Sequence, residues 1–428
     1  MTKELDFTVM NIGECKIPSP MSGVHFVKED DSVLYHGDIR EIRRYIALGK
    51  EPPRFEEAGP RENIFFDPTS LACGIVTCGG LCPGLNNVIR AVVLSLYHHY
   101  GVKKIYGFQY GYEGLSPKFG HKPFQLTPEV VVNIDEMGGT MLGSSRGNQD
   151  ISEMVDTLEK MSISILFTIG GDGTQRGALA ISEEARRRGL RLSVIGIPKT
   201  IDNDISFIQQ TFGFETAVSE AKRVTYAAHS EAEGARNGIG LVKLMGRESG
   251  FIAAYSALAD TQVNFCLVPE VPFGLETLLR VLKERLERRG HAVIVVAEGA
   301  GQDLMGATGE KDASGNIRFG DIGLFLRDQI RAFFSRVGTA VNLRYIDPSY
   351  TIRSQPANAR DSAYCVLLGH NAVHAAMAGR TEMAVSFWRN EFTHVPISMA
   401  VSQRKKIDPD GFLWSSVVAS TGQPWNLR

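Results

Sequence analysis

A buried strand that runs into a pair of glycines is the feature of this sequence that most constrains its fold. Apolar side chains dominate residues 163–169, the run stops at Gly170-Gly171, and a helical pattern follows from Gln175. A second apolar strand over 192–197 completes a strand–helix–strand unit, which favours a parallel sheet covered by helices. Ligands of such sheets bind beyond the carboxyl ends of the strands, so the glycine turn is a candidate binding loop.

The residue types in this turn suit a polyphosphate. Glycines let backbone N–H groups approach phosphate oxygens without a Cβ in the way. Asp172, between the glycines, could reach a magnesium ion that bridges such oxygens. A tight loop that needs glycines for geometry alone is the alternative. The string PKTIDND at 198–204, again directly after an apolar strand, favours the binding function.

The same alternation of strands and helices continues along the chain. The pattern predicts strands over 71–78, 163–169, 192–197, 239–245, 265–268, 291–297 and 340–346, and helices over 38–48, 85–100, 151–161, 275–289 and 321–336 and from Ser249. We therefore predict an α/β fold with two doubly wound, mostly parallel-sheet domains. The proline-rich residues 1–70 are predicted to be an N-terminal extension that lies over the main body, and the domain boundary is expected near 212–215.

Composition excludes several classes of partner. At 428 residues the chain is too long for one hydrophobic core, and its formal net charge of −2 gives no general attraction to nucleic acid or to an anionic membrane. The short basic runs at 186–188 and 404–406 are predicted to be a solvated helix end or loop. No run of about 18 apolar residues exists to span a bilayer. We expect a soluble, cytoplasmic protein with neither nucleic-acid nor membrane partners.

The six cysteines do not indicate a zinc site. None forms a CxxC pair, and the Cys78–Cys82 spacing has no histidine pair nearby. Reduced, buried thiols are expected instead.

Seven strings in order make the sequence similar to 6-phosphofructokinases: CGGLCPGLN (78–86), LGSSRG (142–147), IGGDGTQRGA (169–178), PKTIDNDI (198–205), MGRESG (245–250), AEGAG (297–301) and YTIRS (350–354). Their order and spacing match from about residue 71 to the mid-350s, with softer similarity to roughly residue 400. GPRE at 59–62, ahead of the first strand, resembles the longer ATP-dependent members of plants and protists more than the short bacterial ones.

The resemblance implies a glycolytic phosphotransferase that moves the γ-phosphoryl group of magnesium ATP to the 1-hydroxyl of fructose 6-phosphate. It implies a nucleotide-binding domain at 71–213 plus about 352–400, and a sugar-phosphate domain at 214–351 plus the C-terminal segment. It also implies an allosteric homo-oligomer, either a tetramer or a dimer.

The resemblance gives the catalytic roles to the PKTIDND string. Asp202 would be the base that accepts the proton of the sugar 1-hydroxyl, and Thr200 would hold the transferring phosphoryl group, with Lys199 beside it. Asp204 would serve in the charge network near the metal. An isolated DxD pair is otherwise a common turn or cap.

The resemblance also implies the binding residues. The implied ATP contacts are Gly80, Arg146, Gly147, Gly171, Asp172, Gly173 and Thr174, with Asp172 as the magnesium carboxylate. The implied substrate contacts are Thr200, Ile201, Asp202, Met245, Gly246, Arg247, Glu298, Arg344, Tyr350 and Arg353. Short bacterial members take a further arginine, seven residues before MGR, from a neighbouring subunit. This chain has Gly238 there, and Lys243 is the candidate substitute.

The phosphoryl donor is indicated by Gly173 and Lys199. Pyrophosphate-using members typically carry aspartate at the first position and lysine at the second, so the chain mixes the two patterns. A carboxylate at 173 would crowd and repel the α-phosphate of ATP, whereas lysine at 199 does not exclude ATP. We therefore expect ATP, with pyrophosphate as the alternative.

Two more distant classes of protein share part of this pattern. NAD kinases and lipid kinases share GGDGT but lack TIDND and MGR at this spacing. A non-catalytic nucleotide sensor on the same fold would be expected to lose Asp202 or Asp172, and both are present.

Overall fold

The computed structural model describes residues 5–306 and 318–427. Its strands are β1 Met10–Asn11, β2 Ile17–Pro18, β3 Ser32–Leu34, β4 Arg54–Glu57, β5 Asn63–Ile64, β6 Ala72–Thr77, β7 Lys104–Phe108, β8 Phe124–Gln125, β9 Ile165–Gly170, β10 Ser193–Pro198, β11 Gly238–Leu244, β12 Phe265–Leu267, β13 His291–Ala297, β14 Asn342–Ile346, β15 Arg380–Thr381, β16 Met383–Trp388 and β17 Glu391–Pro396. Its α-helices are α1 Ile39–Ala47, α2 Leu85–Leu94, α3 Ile151–Lys160, α4 Asp172–Arg187, α5 Phe214–Glu233, α6 Phe251–Ala259, α7 Leu275–Arg289, α8 Ile322–Arg336, α9 Ala359–Met377, α10 Ile397–Ala400 and α11 Phe412–Thr421.

The chain forms two compact units. Unit 1 holds the residues up to Thr200 together with Ile205–Gly213 and Pro356–Gln403. Unit 2 holds Ile201–Asp204, Phe214–Gln355 and the residues from Arg404 onward. The PKTIDND string is therefore shared, because its first residues belong to unit 1 and its two aspartates belong to unit 2.

Unit 1 is built on a mixed sheet. In the described residues its strand order is β3-β4-β17-β16-β10-β9-β6-β7-β8. The five central strands from β16 to β7 pair in parallel, whereas both edges are antiparallel. Strands β6, β9 and β10 are buried along their whole length, as expected for parallel strands covered on both faces. The α/β class is thus confirmed, with antiparallel edges that the sequence pattern did not reveal.

Unit 2 is built on a smaller parallel sheet. Within the described part of the chain its strand order is β12-β13-β11-β14, and every pairing is parallel. Leucines of α7 and apolar residues of α8 pack on this sheet in one core, which includes Leu282, Ile294 and Leu326. Helix α7 coincides with the predicted 275–289 and ends at Gly290 in a left-handed conformation.

The N-terminal extension differs from the prediction. Strands β3 and β4 add to the edge of the unit 1 sheet, with β4 paired to β17, so this segment continues the sheet instead of lying over it. Buried charges fix it there. Arg380, on β15, bonds through Nε to Glu56 at 2.8 Å and is also paired with Glu29, and Arg61 of the GPRE string bonds to Glu56 at 2.9 Å.

The cysteines and the longest helices can also be set against the sequence pattern. The six cysteines are free thiols, and all but the partly exposed Cys15 are buried, as the sequence predicted. Across residues 5–306 and 318–427, the structure has no helix that is long and apolar enough to cross a membrane.

Candidate active site

Three of the predicted loops of unit 1 emerge from neighbouring strands at one edge of the sheet. Strand β9 lies between β6 and β10, with Thr77 beside Ile169 and Gly170 beside Pro198. The CGG, GGDG and PKT strings directly follow these strand ends. The structure therefore brings together the predicted nucleotide residues that belong to these strings.

Hydrogen bonds fix the CGG loop to its neighbours. The N–H of Gly79 donates to the carbonyl of Ser145 at 3.0 Å, and the hydroxyl of Ser144 donates to the carbonyl of Gly79 at 2.6 Å. Lys199 Nζ donates to the carbonyl of Gly80, and this side chain is 5% exposed. Gly79 has a φ of 85°, a conformation that favours glycine. Hydrogen bonds with the LGSSRG loop and from Lys199 thus hold Gly79 and Gly80 in place.

The GGDG string is a helix start and not a free loop. Helix α4 begins at Asp172, three residues earlier than the pattern predicted, so Asp172, Gly173 and Thr174 form its first turn. Their N–H groups belong to the helix terminus that attracts anions. The carbonyl of Thr174 accepts a hydrogen bond from the buried Tyr112 hydroxyl at 2.7 Å, which fixes the turn from below. A Cβ at Gly173 would meet no atom within 4 Å, so this position is open.

Asp172 is suited to share a magnesium ion with a nucleotide. Its carboxylate is 26% exposed and pairs with Arg176 Nε, one helical turn later, at 3.1 Å. Magnesium at phosphate sites takes one or two protein carboxylates and completes its shell with water and phosphate oxygens. One accessible carboxylate beside an open helix start fits that requirement. Sequence reasoning missed Arg176, although its position four residues after Asp172 is the usual signal for a helical ion pair.

Arg146 and Gly147 end the LGSSRG string. Arg146 is exposed, and Gly147 has a φ of 100°, which a side chain would disfavour. The guanidinium of Arg146, near the end of this loop, is therefore open to a phosphate from the solvent side.

In unit 2, the sugar-side strings also follow neighbouring strand ends. Leu244 at the end of β11 lies beside Ala297 at the end of β13, and Met245–Arg247 and Glu298 come directly after them. Gly246 has a φ of 125°, and a Cβ on Gly299 would overlap the carbonyl of Arg247. The two glycines therefore let the MGR and AEG turns lie against each other.

The carboxylate of Asp202 is held in an environment that disfavours its charge. Burial raises its pKa well above the usual range, and the negative charges of Asp204 and Glu298 act in the same direction. The guanidinium groups of Arg404 and Arg247 oppose this rise. The pKa of Glu298 is also raised, because the effect of burial exceeds the opposing effect of the positive charge of Arg247. A carboxylate with a raised pKa is suited to accept a proton.

The prediction of solvated basic runs is right for only part of each run. Arg188 in the first run is 19% exposed and pairs with Glu184 and Asp156, and in the second run Lys406 is the exposed residue. Arg186 and Arg187 close α4 with side chains 54% and 73% exposed. In contrast, Arg404 Nη1 lies 2.5 Å from Asp204 Oδ2, and Lys405 Nζ donates to Asn203 Oδ1 at 3.0 Å. Sequence reasoning missed these partners because 200 residues separate Arg404 from Asp204.

Lys243 is occupied by two carboxylates. Its Nζ lies 2.9 Å from Asp321 and 2.8 Å from Asp347, and the side chain is 12% exposed. Burial lowers the pKa of Lys243, but the hydrogen bonds that its Nζ donates to both carboxylates outweigh this effect and raise it. A phosphate would have to displace one of these carboxylates, so binding of the sugar phosphate by Lys243 stays a prediction that this geometry does not favour.

The remaining predicted substrate residues differ in exposure: Tyr350 and Arg344 are exposed, Arg353 is partly buried and Ile201 is buried. The Arg353 guanidinium lies 4.9 Å from the ring centroid of Tyr350, whose residue is 75% exposed. Arg344 is 59% exposed and lies 3.9 Å from Glu231. The Arg344 guanidinium is therefore open to an anion from solvent, whereas that of Arg353 is partly covered.

The chain is similar to known proteins over most of its length. The phosphofructokinase family model matches residues 72–376. The chain is 49% identical over its whole length to an ATP-dependent 6-phosphofructokinase of Borreliella burgdorferi, covering 98% of that protein. It is 50% identical to one of Amycolatopsis methanolica, covering 99% of this chain and 96% of the relative. It is 51% identical to one of Trypanosoma cruzi, covering 88% of this chain and 78% of the relative.

Solved structures support the fold. A pyrophosphate-dependent phosphofructokinase of Marinobacter aquaeolei matches with a TM-score of 0.68 at 22% identity, covering 79% of this chain and 86% of that one. Together with the two α/β units, these matches place the chain among the phosphotransferases. It belongs to the phosphofructokinase family.

Proposed function

We propose that this chain is an ATP-dependent 6-phosphofructokinase, which transfers the γ-phosphoryl group of ATP to the 1-hydroxyl of fructose 6-phosphate and releases fructose 1,6-bisphosphate and ADP. The observation that carries the proposal is the pair of sites, one with the GGDG helix start in unit 1 and one with the partly buried Asp202 and the MGR turn in unit 2. Full-length relatives at about half identity that bear this name support it.

Unit 1 would bind the nucleotide. The N–H groups at the start of α4 and the glycines of the CGG loop would hold phosphate oxygens, with Arg146 as a cationic contact. Asp172 would be the protein ligand of magnesium. When bound, magnesium neutralises charge on the β- and γ-phosphate oxygens. Lys199, fixed by Gly80, would add positive charge close to the transferring group.

Unit 2 would bind the sugar phosphate. Arg353 and Arg344 would hold the 6-phosphate, with Tyr350 beside them, because arginine presents a planar set of donors that matches phosphate. Glu298 would accept hydrogen bonds from sugar hydroxyls, and Met245–Arg247 would line the sugar.

Asp202 would act as the general base. Its carboxylate would accept the proton of the 1-hydroxyl while that oxygen bonds to the γ-phosphorus and the bond from phosphorus to the ADP oxygen breaks. Burial favours this transfer because it raises the proton affinity of the carboxylate. Thr200, two residues earlier, would donate a hydrogen bond to the phosphoryl group.

The donor assignment rests on Gly173. The open space beside this residue leaves room for the α-phosphate of ATP, and an aspartate there would add a negative charge. Pyrophosphate is the alternative donor, because Lys199 is the residue typical of pyrophosphate users. A homo-oligomeric state and a cytoplasmic location stay predictions.

A coupled assay of bisphosphate formation with ATP or pyrophosphate tests the proposal. The wild-type chain should turn over with magnesium ATP, and Asp202→Asn should lose about 10²–10⁴-fold in kcat with little change in KM. Asp30→Asn, at an exposed carboxylate of the N-terminal segment, is the matched control and should retain full activity.

The assay separates the alternatives. Turnover with pyrophosphate alone would reverse the donor assignment. Folded protein that binds ATP but forms no product with either donor would identify a nucleotide sensor.

A further inference from the structure

A short C-terminal segment of unit 2, Arg404–Ile407, runs beside the loop that carries Asp202. The backbone N–H of Lys405 donates to the carbonyl of Asp204 at 2.8 Å, and its Nζ donates to Asn203 Oδ1 at 3.0 Å. Arg404 Nη1 pairs with Asp204 Oδ2 at 2.5 Å. Three contacts from two consecutive residues therefore hold the two residues that follow Asp202.

The same segment also reaches the sugar-side turn. Arg404 Nε lies 3.5 Å from a carboxylate oxygen of Glu248, in the MGRESG string. The N–H of Ile407 donates to Glu270 at 2.9 Å, and the same carboxylate accepts from Gly250, at the start of α6. One segment thus links the Asp202 loop to the MGRESG turn through side chains and backbone.

Burial and charge make the Arg404–Asp204 pair strong enough to position a loop. The Asp204 side chain is 8% exposed and that of Arg404 is 28% exposed, so solvent screens the pair much less than a surface pair. The loop turns at Asn203, whose φ of 53° is a left-handed conformation that asparagine adopts more readily than most residues.

Arg404 also influences Asp202 at a distance. Its positive charge lowers the pKa of Asp202 against burial and against the negative charges of Asp204 and Glu298, with Arg247 acting on the same side as Arg404. The charge of Arg404 therefore affects the protonation of Asp202 in addition to the loop that carries it.

We propose that Arg404 is a positioning residue for phosphoryl transfer: by holding Asp204 and Glu248 at once, it fixes the orientation of the Asp202 carboxylate relative to the sugar-binding turn. The proposal rests on the proposed function, because it takes Asp202 as the base. In this role Arg404 itself does not contact the substrate. Lys405 supports the same loop through its backbone N–H and its amine.

Steady-state kinetics of three Arg404 variants test this role. Arg404→Gln and Arg404→Ala should lower kcat about 10- to 100-fold, the range expected when a reacting group is misplaced, while KM for either substrate changes by less than about threefold. Arg404→Lys should recover part of the loss because it restores the charge. Lys406→Ala, at the exposed neighbouring residue, is the matched control and should behave as wild type.

The pH profile of kcat distinguishes positioning from stability. A base must be deprotonated to act, so the acid limb reports the pKa of Asp202 in the complex. Loss of the Arg404 charge should move this limb to higher pH in Arg404→Gln, and Arg404→Lys should return it toward the wild-type position. A merely structural role would not shift the limb.

The outcomes decide between the two proposals. A folded Arg404→Gln with the wild-type melting temperature, kcat within twofold and an unshifted acid limb would refute the positioning role alone. If Arg404→Gln and Arg404→Ala fail to fold, the folded Arg404→Lys must still show a reduced kcat at constant KM, and wild-type kcat would refute the role. A wild-type chain without any activity would refute both proposals.

Discussion

The helix start at Gly173 gives the sharpest test of donor choice. Gly173 is the second residue of α4, and a Cβ at this position meets no atom within 4 Å. An aspartate would therefore fit without a clash. Its charge in the first turn of a helix is favourable by about 0.3–1 kcal/mol, so Gly173→Asp should not lower the free energy of unfolding. Any loss of activity would then report on the ligand.

The size of the loss follows from electrostatics. A carboxylate about 6 Å from a phosphate charge is repelled by about 0.7 kcal/mol at a dielectric constant near 80 and by about 2.8 kcal/mol near 20. These energies correspond to about 3-fold and about 100-fold in kcat/KM. Because Gly173 is exposed, the effect on ATP should lie within this range. Pyrophosphate lacks an α-phosphate in the ATP position and should be affected far less, and some pyrophosphate activity could be gained.

The assay measures kcat/KM for ATP and for pyrophosphate in wild type, Gly173→Asp and Gly173→Asn. Asparagine has nearly the same size without the charge, so it separates crowding from repulsion. An equal loss of ATP use in both variants would assign the effect to crowding. Unchanged ATP use in Gly173→Asp would refute the reasoning and remove the main physical support for ATP over pyrophosphate.

Two further predictions concern the sugar site and acid stability. Arg353→Ala should raise KM for fructose 6-phosphate about 10- to 150-fold, the value of a charged hydrogen bond of about 1.5–3 kcal/mol, with Arg353→Lys intermediate; a change confined to KM for ATP would contradict the placement of this site. Burial lowers the pKa of His374 to about 3, so its contribution to stability is fully present above about pH 6.5 and is lost as the pH falls toward 3. Denaturant unfolding should show that wild type loses up to about 1.4 kcal/mol more per pH unit than His374→Gln between pH 6 and 4, and parallel pH curves for the two proteins would contradict this.

Local sequence patterns predicted the helices and strands that are bounded by residues such as glycine, which end a regular element. Helix α7 could be bounded from sequence because its leucines have helical spacing and Gly290 ends it. The pattern predicts the start of α4 three residues late, because glycine and aspartate are weak helix formers.

The elements that were missed depend on distant pairing. Helix α5 follows the boundary near 212–215 without a strong apolar stripe, and strands β16 and β17 are recognisable as sheet members only through β10 and β4. The site follows the same rule. Each catalytic string could be found by its own residues, whereas the Arg404–Asp204 pair is a property of the folded chain alone.

Ion pairs at the edge of the unit 1 sheet join the N-terminal segment of this protein to a buried arginine. Arg380 has a side chain 5% exposed, and its carboxylate partner Glu56 lies 324 positions earlier in the chain. A lineage that lost the first 60 residues would leave this guanidinium, and His394 beside it, without their carboxylate partner Glu56. We therefore expect lineages that shorten or acquire the N-terminal segment to change position 380 as well. The amino acid at that position should record which of the two histories a related sequence has followed.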